Sequence, residues 1–161
     1  MKSLGIIGNG FVGKAIANGF SLHANVKIYD KDPTKSLHSL SEVVNTCNYI
    51  FISVPTPMES IEGGSIDLSI IDAVFNDIAT VPKSKEFNYE DVVFVIKSTV
   101  VPGTTSQYQQ KYPNFRIVFN PEFLTERSAN LDFINANRIV LGGEPDDCRF
   151  LESLYRVRFP Y

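Results

Sequence analysis

The chain has little cysteine. Cys47 and Cys148 are its only thiols, far apart and with no histidine beside either. The spacing of a zinc site is therefore lacking, and no metal is expected. Cys47 stands just ahead of an apolar run and is expected as a small buried hydrophobe. Cys148, in Asp146-Asp147-Cys148-Arg149, is expected as a half-buried helix thiol whose acidic neighbours raise its pKa. Histidine is equally scarce, and His23 and His38 fall in surface-type segments with no catalytic expectation. Positive charge is not in excess. Lys and Arg number 15 against 18 Asp and Glu, for a net charge of −3, and without a basic cluster nucleic acid is not expected as a partner. No apolar run reaches the length of a bilayer span. The amino-terminal apolar stretch is short and broken by glycines, unlike a signal peptide. No membrane partner and a cytoplasmic location are expected.

What is present is ordinary globular composition, 161 residues with 43% hydrophobic and 20% charged, enough for one domain over residues 1–161 with a proper core. The informative stretch is the first thirty residues. A short apolar strand, Lys2 to Ile7, runs into Gly8-Asn9-Gly10-Phe11-Val12-Gly13. Val12, Ile16, Ala17 and Phe20 then recur on one helix face, and a second strand, Val26 to Tyr29, ends on Asp30. This is G-x-G-x-x-G between a strand and a helix, with an acid 22 residues after Gly8, the arrangement that binds a dinucleotide. Gly8 permits the tight turn, Gly10 lets backbone approach a pyrophosphate, and Gly13 lets the helix pack closely on the strand. The first helical N–H groups point at the phosphates. Asp30 would bind the ribose hydroxyls and repel a 2′-phosphate, so NAD is expected, although Lys31 and Lys35 weaken that exclusion. The alternative is a glycine-rich turn that binds nothing.

Further along, Asn48–Val54, Asp91–Ile96 and Arg116–Phe119 are nearly continuous apolar runs, as in parallel strands covered on both faces, and Arg138–Gly143 is read as a sixth strand. Helices are expected over Ser39–Val44, from near Asp67 through Ile78, from Thr104 towards Tyr112, and over Pro145–Arg156. The alternation implies an α/β fold, a Rossmann-type doubly wound parallel sheet in a single domain, with strand order 3-2-1-4-5-6 and ligand at the carboxyl edge.

On these residues the chain resembles the UDP-glucose/GDP-mannose dehydrogenases, in their amino-terminal NAD-binding domain. The resemblance rests on Gly8–Gly13, Ser53-Val54-Pro55-Thr56-Pro57, Gly64–Ser69, Lys97-Ser98-Thr99-Val100 with Pro102–Thr105, Asn120-Pro121-Glu122-Phe123-Leu124 with Glu126, Asp132-Phe133 and Arg138–Gly142, in family order. It implies oxidation of the C6 hydroxyl of a nucleotide sugar, UDP-glucose or a relative, to the carboxylate with two NAD molecules in succession. It also implies cofactor contacts from Gly8, Asn9, Gly10, Phe11, Val12, Gly13, Asp30, Lys35, Val54, Pro55, Thr56, Pro57, Ser98, Thr99, Val100 and Glu126. Thr99 resembles the family threonine that orders water near the nicotinamide, and Glu122 the carboxylate that activates water during hydrolysis of the covalent intermediate. Glu126 is similar to the glutamate between cofactor and substrate, and the sugar would be held around Glu122, Phe123 and Leu124. Thr125, Arg127 and Ala136-Asn137 depart from the family's usual Arg, small residue and Pro-Asp, beside the expected substrate pocket.

Family enzymes continue into a second domain that carries the cysteine nucleophile. The resemblance therefore implies a cofactor half, incomplete for catalysis alone and working with a separately encoded carboxyl-terminal half or excised from a longer enzyme. The alternative is a truncated, non-catalytic NAD- or nucleotide-binding module. A third reading is a hydroxy-acid type of Rossmann dehydrogenase, for which Lys97 is the one suggestive lysine. Residue type alone leaves Thr99 and Thr105 open as helix caps and Glu122 and Glu126 as a solvated pair.

Overall fold

Runs of Val, Ile and Phe too apolar for any surface position set the centre of this fold. The computed structural model describes residues 2–57, 66–98, 100, 103–121, 127–134 and 139–159. In it β1 (Lys2–Ile7), β2 (Ala24–Tyr29), β3 (Tyr49–Ile52), β4 (Val93–Ile96) and β5 (Arg116–Phe119) form a parallel sheet. Every residue of β3 and β4 is buried, because helices cover both faces. Successive strand residues alternate between two cores. Leu4, Ile6, Phe51, Val93 and Val95 face α1 (Phe11–Phe20), α5 (Ala129–Ile134) and α6 (Pro145–Arg158). Ile50, Ile52, Phe94, Ile96 and Ile117 face α2 (Leu40–Thr46), α3 (Ser69–Thr80) and α4 (Thr104–Lys111). The sheet is doubly wound, as expected.

Its strand order is not the expected one. The sequence of strands across the sheet is β2-β1-β3-β4-β5-β6 rather than 3-2-1-4-5-6. The segment after β2 is too short to lay down a further strand outside it. Leu37 and His38 both donate their N–H to the Ile28 carbonyl, and His38 Nδ1 accepts from the Ile28 N–H at 3.0 Å. That covers the outer edge of β2 at one residue and turns the chain back. Ser39 then caps α2 by accepting from the Glu42 N–H, the start of a capping box. α2 crosses directly over β1, where a Cβ on Gly5 would lie 2.6 Å from Val43 Cγ1. The chain therefore emerges on the free side of β1, and β3 pairs there.

The carboxyl-terminal third also differs from expectation. The sixth strand is only Gly142–Gly143, and it runs antiparallel to β5; Arg138 lies outside the described residues. A parallel strand needs a crossover along the sheet, but the helix available, α5, docks elsewhere. Its Phe133 lies against Gly19 of α1, where an added Cβ would come within 2.0 Å of the ring. α5 itself was not anticipated, because six residues are too few to show a helical period. Ser128 Oγ donates to Asp132 in its first turn at 3.0 Å. α6 follows with Pro145 at its start, Asp146 and Asp147 in its first turn and Arg156 and Arg158 in its last, which matches the helix dipole. Arg116 ties it to the sheet through Asp147 at 2.7 Å.

Cys47 is buried behind β1, and burial pushes its thiol up from 9.0 to about 11. Burial also raises Cys148, with Asp147 contributing second. A thiol reagent at pH 8 is expected to titrate Cys148 first in the native protein, and both thiols after denaturation. Because the folded-state pKa of Cys47 is raised, its contribution to stability is present below pH 9 and is lost as pH climbs towards 11. Cys47→Ala should flatten the alkaline loss of stability in that window, as read from urea midpoints.

Candidate functional site

The winding reverses at β1. From its carboxyl end the chain turns to α1 on one face, and from the carboxyl end of β3 it turns to α3 on the other. Between the two loops lies a cleft of about 790 Å³, within the range of roughly 300–1,000 Å³ typical of small-molecule sites.

Its first wall is the glycine loop. Gly8 takes φ +104°, a left-handed conformation that disfavours a side chain, and a Cβ there would meet the Ser53 carbonyl oxygen at 2.8 Å. At Gly13 a Cβ would lie 2.1 Å from the Gly8 carbonyl oxygen, so the helix sits on the turn it grew from. Gly10 differs, since nothing lies within 4 Å of its Cβ position. It is the N-cap of α1 and offers no side chain to the first-turn N–H groups, which have no intrahelical partners. That end is left open towards the cleft, and Gly8, Gly10, Phe11 and Val12 line it.

The second wall is the tip of β2. Asp30 accepts the Asn9 N–H on Oδ2 at 2.8 Å and the Asp32 N–H on Oδ1 at 2.8 Å. Its carboxylate is thus aimed by two backbone donors while lone pairs remain for a ligand. Asn9 Nδ2 donates to the Lys35 carbonyl at 2.9 Å, joining the two loops. Asp30, Lys31 and Lys35 line the cleft.

The third wall is the loop after β3, with Ser53, Val54, Pro55 and Thr56. Two serines brace the loops together. Ser53 Oγ donates to the Gly8 carbonyl at 2.9 Å, and Ser98 Oγ, at the end of β4, to the Val54 carbonyl at 2.6 Å. Ser98 also lines the cleft. Of the other residues expected to contact cofactor, Asn9, Gly13, Pro57 and Val100 are described but do not line it. Thr99, Glu122, Phe123, Leu124 and Glu126 lie outside the described residues.

Part of the site lies outside the residues expected from the sequence. Tyr29, Ile70, Ala73, Val74, Asp77 and Lys97 also line the cleft. The signal on α3 was available, since residues 70, 73, 74 and 77 form a second stripe beside the buried Ile71, Phe75 and Ile78. Lys97 is only 6% exposed and donates to Asn120 Oδ1 at 3.3 Å. Asn120, 1% exposed, also accepts from the Tyr155 hydroxyl and donates to the Val140 carbonyl at 2.9 Å. Its N–H donates to the Ile96 carbonyl at 3.0 Å. The chain is thereby pinned from four directions at the residue before Pro121.

The profile described as the UDP-glucose/GDP-mannose dehydrogenase family, NAD binding domain, matches residues 35–158. The chain belongs to that family. As its NAD-binding domain, it takes NAD as cofactor. It is 31% identical to the UDP-glucose 6-dehydrogenase AglM of Haloferax volcanii, across 98% of this chain and 44% of that protein. It is 27% identical to the UDP-glucose 6-dehydrogenase of Streptococcus pneumoniae, across 95% of this chain and 44% of that one. The chain thus spans about half the length of these curated relatives. A UDP-glucose dehydrogenase structure from Pyrobaculum islandicum superposes with TM-score 0.79 at 27% identity, over 97% of this chain and 44% of that one. A GDP-mannose dehydrogenase from Pseudomonas aeruginosa, at 24% identity and TM-score 0.78 over 95% and 44%, shares the fold. Among the described residues no helix is long and apolar enough to cross a membrane, and no cluster of His, Cys, Asp or Glu could hold a metal ion.

The residues present fit the cofactor of this family. The space above Gly10 and the uncapped first turn of α1 suit a pyrophosphate, and the aimed Asp30 carboxylate suits ribose hydroxyls. Gly13→Ala is expected to force α1 off the turn, costing about 1–3 kcal/mol or more in urea unfolding and abolishing NAD binding. Asp30→Asn is expected to weaken NAD about tenfold or more and to narrow the preference over NADP, since Lys31 and Lys35 remain. Calorimetric titration with both dinucleotides reads that change.

Proposed function

We propose that this chain is the NAD-binding half of a nucleotide-sugar 6-dehydrogenase, oxidising UDP-glucose or a related sugar nucleotide to the uronic acid. The observation that carries the reading is the braced cleft at the switch between β1 and β3, in a chain matched by the family's NAD-binding profile over residues 35–158. When bound, NAD supplies the acceptor for the hydride that leaves the sugar's C6. The chain's own work is to hold and orient. Gly8 through Val12 seat the pyrophosphate, Asp30 and Lys35 the ribose, and Val54–Thr56 with Ser98 the remainder of the dinucleotide. Along the chain Thr99 comes after β4, and Glu122 and Glu126 after β5; the assignment gives Glu122, Phe123 and Leu124 to the sugar. In this assignment Thr99 orders water, Glu122 activates it, and Glu126 stands between cofactor and sugar. Asn120 is the positioning residue from which that segment departs.

The nucleophilic thiol is assigned to a second half, because Cys47 is sealed in the core and its thiolate is disfavoured. The test is reduced-cofactor absorbance with NAD and a panel of UDP- and GDP-sugars, with and without the carboxyl-terminal half of a relative. NAD binding without turnover until that half is added is expected. Steady NADH from this chain alone would overturn the division of labour. Binding with no turnover under either condition would leave a non-catalytic module. In the reconstituted enzyme Glu122→Gln should cut turnover by at least about 100-fold with little change in NAD affinity. Asn120→Ala is expected to cost about 1–3 kcal/mol of stability and to lower turnover more than NAD affinity.

A further inference from the structure

The outer stripe of α3 is explained by the core only at Val74, which rests against it, and not by the loops that seat the pyrophosphate and ribose. Ile71, Phe75 and Ile78 of this helix are fully buried. Ile70, Ala73, Val74 and Asp77, at i, i+3, i+4 and i+7, share the neighbouring face and line the cleft. Asp30, Lys31 and Lys35 line the same cleft. Between the two walls the floor is apolar. Tyr29, Val54 and Val74 are the half-buried rim of the core beneath. The base attached to a ribose held at Asp30 would enter the remainder of this cleft, which the stripe of α3 helps to line.

Asp77 is the odd residue of that wall. It lies in the last turn of α3, which holds no basic residue. A carboxylate there opposes the helix dipole, so helix stability gives no reason for it. The apolar floor gives none either.

We propose that the outer stripe of α3 reads the base of the dinucleotide. Ile70 and Val74 flank the purine, and the Asp77 carboxylate accepts a hydrogen bond from its exocyclic amino group, making the site selective for adenine over a 6-oxo purine. The inference rests on the NAD-binding reading and extends it. A carboxylate can only accept. The 6-amino group of adenine supplies a donor, whereas hypoxanthine turns a carbonyl oxygen towards the same edge and leaves two acceptors facing each other.

The test compares NAD with nicotinamide hypoxanthine dinucleotide by calorimetry on the intact chain, unaltered and as Asp77→Asn. Asp77 is exposed, so the substitution leaves the core untouched. The unaltered protein is expected to bind NAD about tenfold tighter than the hypoxanthine analogue. In Asp77→Asn, whose amide can both donate and accept, the ratio should fall to within about threefold. NAD binding without discrimination, or discrimination undiminished in Asp77→Asn, would overturn the inference and leave the NAD reading standing. Failure to bind NAD at all would overturn both.

Discussion

The contact on which the rest depends is the seat of α1 upon the turn it springs from. A Cβ at Gly13 would come within 2.1 Å of the Gly8 carbonyl oxygen, so the helix can begin there only because residue 13 has no side chain. This approach points the first turn of α1 at the cleft, where Gly10 adds neither bulk nor a cap. It also places the Gly8 carbonyl where Ser53 can bond to it. Through Ser53 and Ser98 the ends of β1, β3 and β4 are held as one edge. One close packing therefore sets the helix axis, the open end and the spacing of the loops.

The same edge explains why the altered strand order does not displace the site. In either order the ligand crevice falls where the winding reverses. Here the short return through Leu37 and His38 seals β2 with bonds to Ile28 alone, and the reversal comes between β1 and β3. The loop after β3, with its rigid Pro55 and Pro57, thereby becomes the direct neighbour of the glycine loop. α3, descending from that loop, becomes the far wall. Ile70, Ala73, Val74 and Asp77, which are not among the residues expected at the site, all belong to that wall. Their stripe is legible along the helix, but its place on the cleft follows from topology.

Among the described residues Lys97 is the buried lysine, and it lies at this edge. Lys97 and Asn120 are nearly sealed from solvent, and the Asn120 side chain bonds to Lys97, Tyr155 and Val140 at once. A buried amide with its groups engaged is a rigid anchor. It stands at the root of Pro121–Glu126, where the family resemblance is most specific. Lys97, the one lysine suggestive of a hydroxy-acid type of dehydrogenase, is built into that anchor.

The sequence by itself determined the strand–glycine turn–helix unit, the acid at the tip of β2, the buried runs of β3, β4 and β5, and the family. Each of these is a local pattern whose physical meaning travels with it: absent side chains where backbones meet, a carboxylate after a strand, and apolar residues with no polar face. Only the tertiary structure decided which strand lies beside β1, that β6 runs antiparallel, where α5 docks, and which face of α3 looks into the cleft. Those outcomes depend on crossover length and on contacts between distant residues, such as Gly5 with Val43, Gly19 with Phe133 and Ile28 with His38. No periodicity along the chain records them.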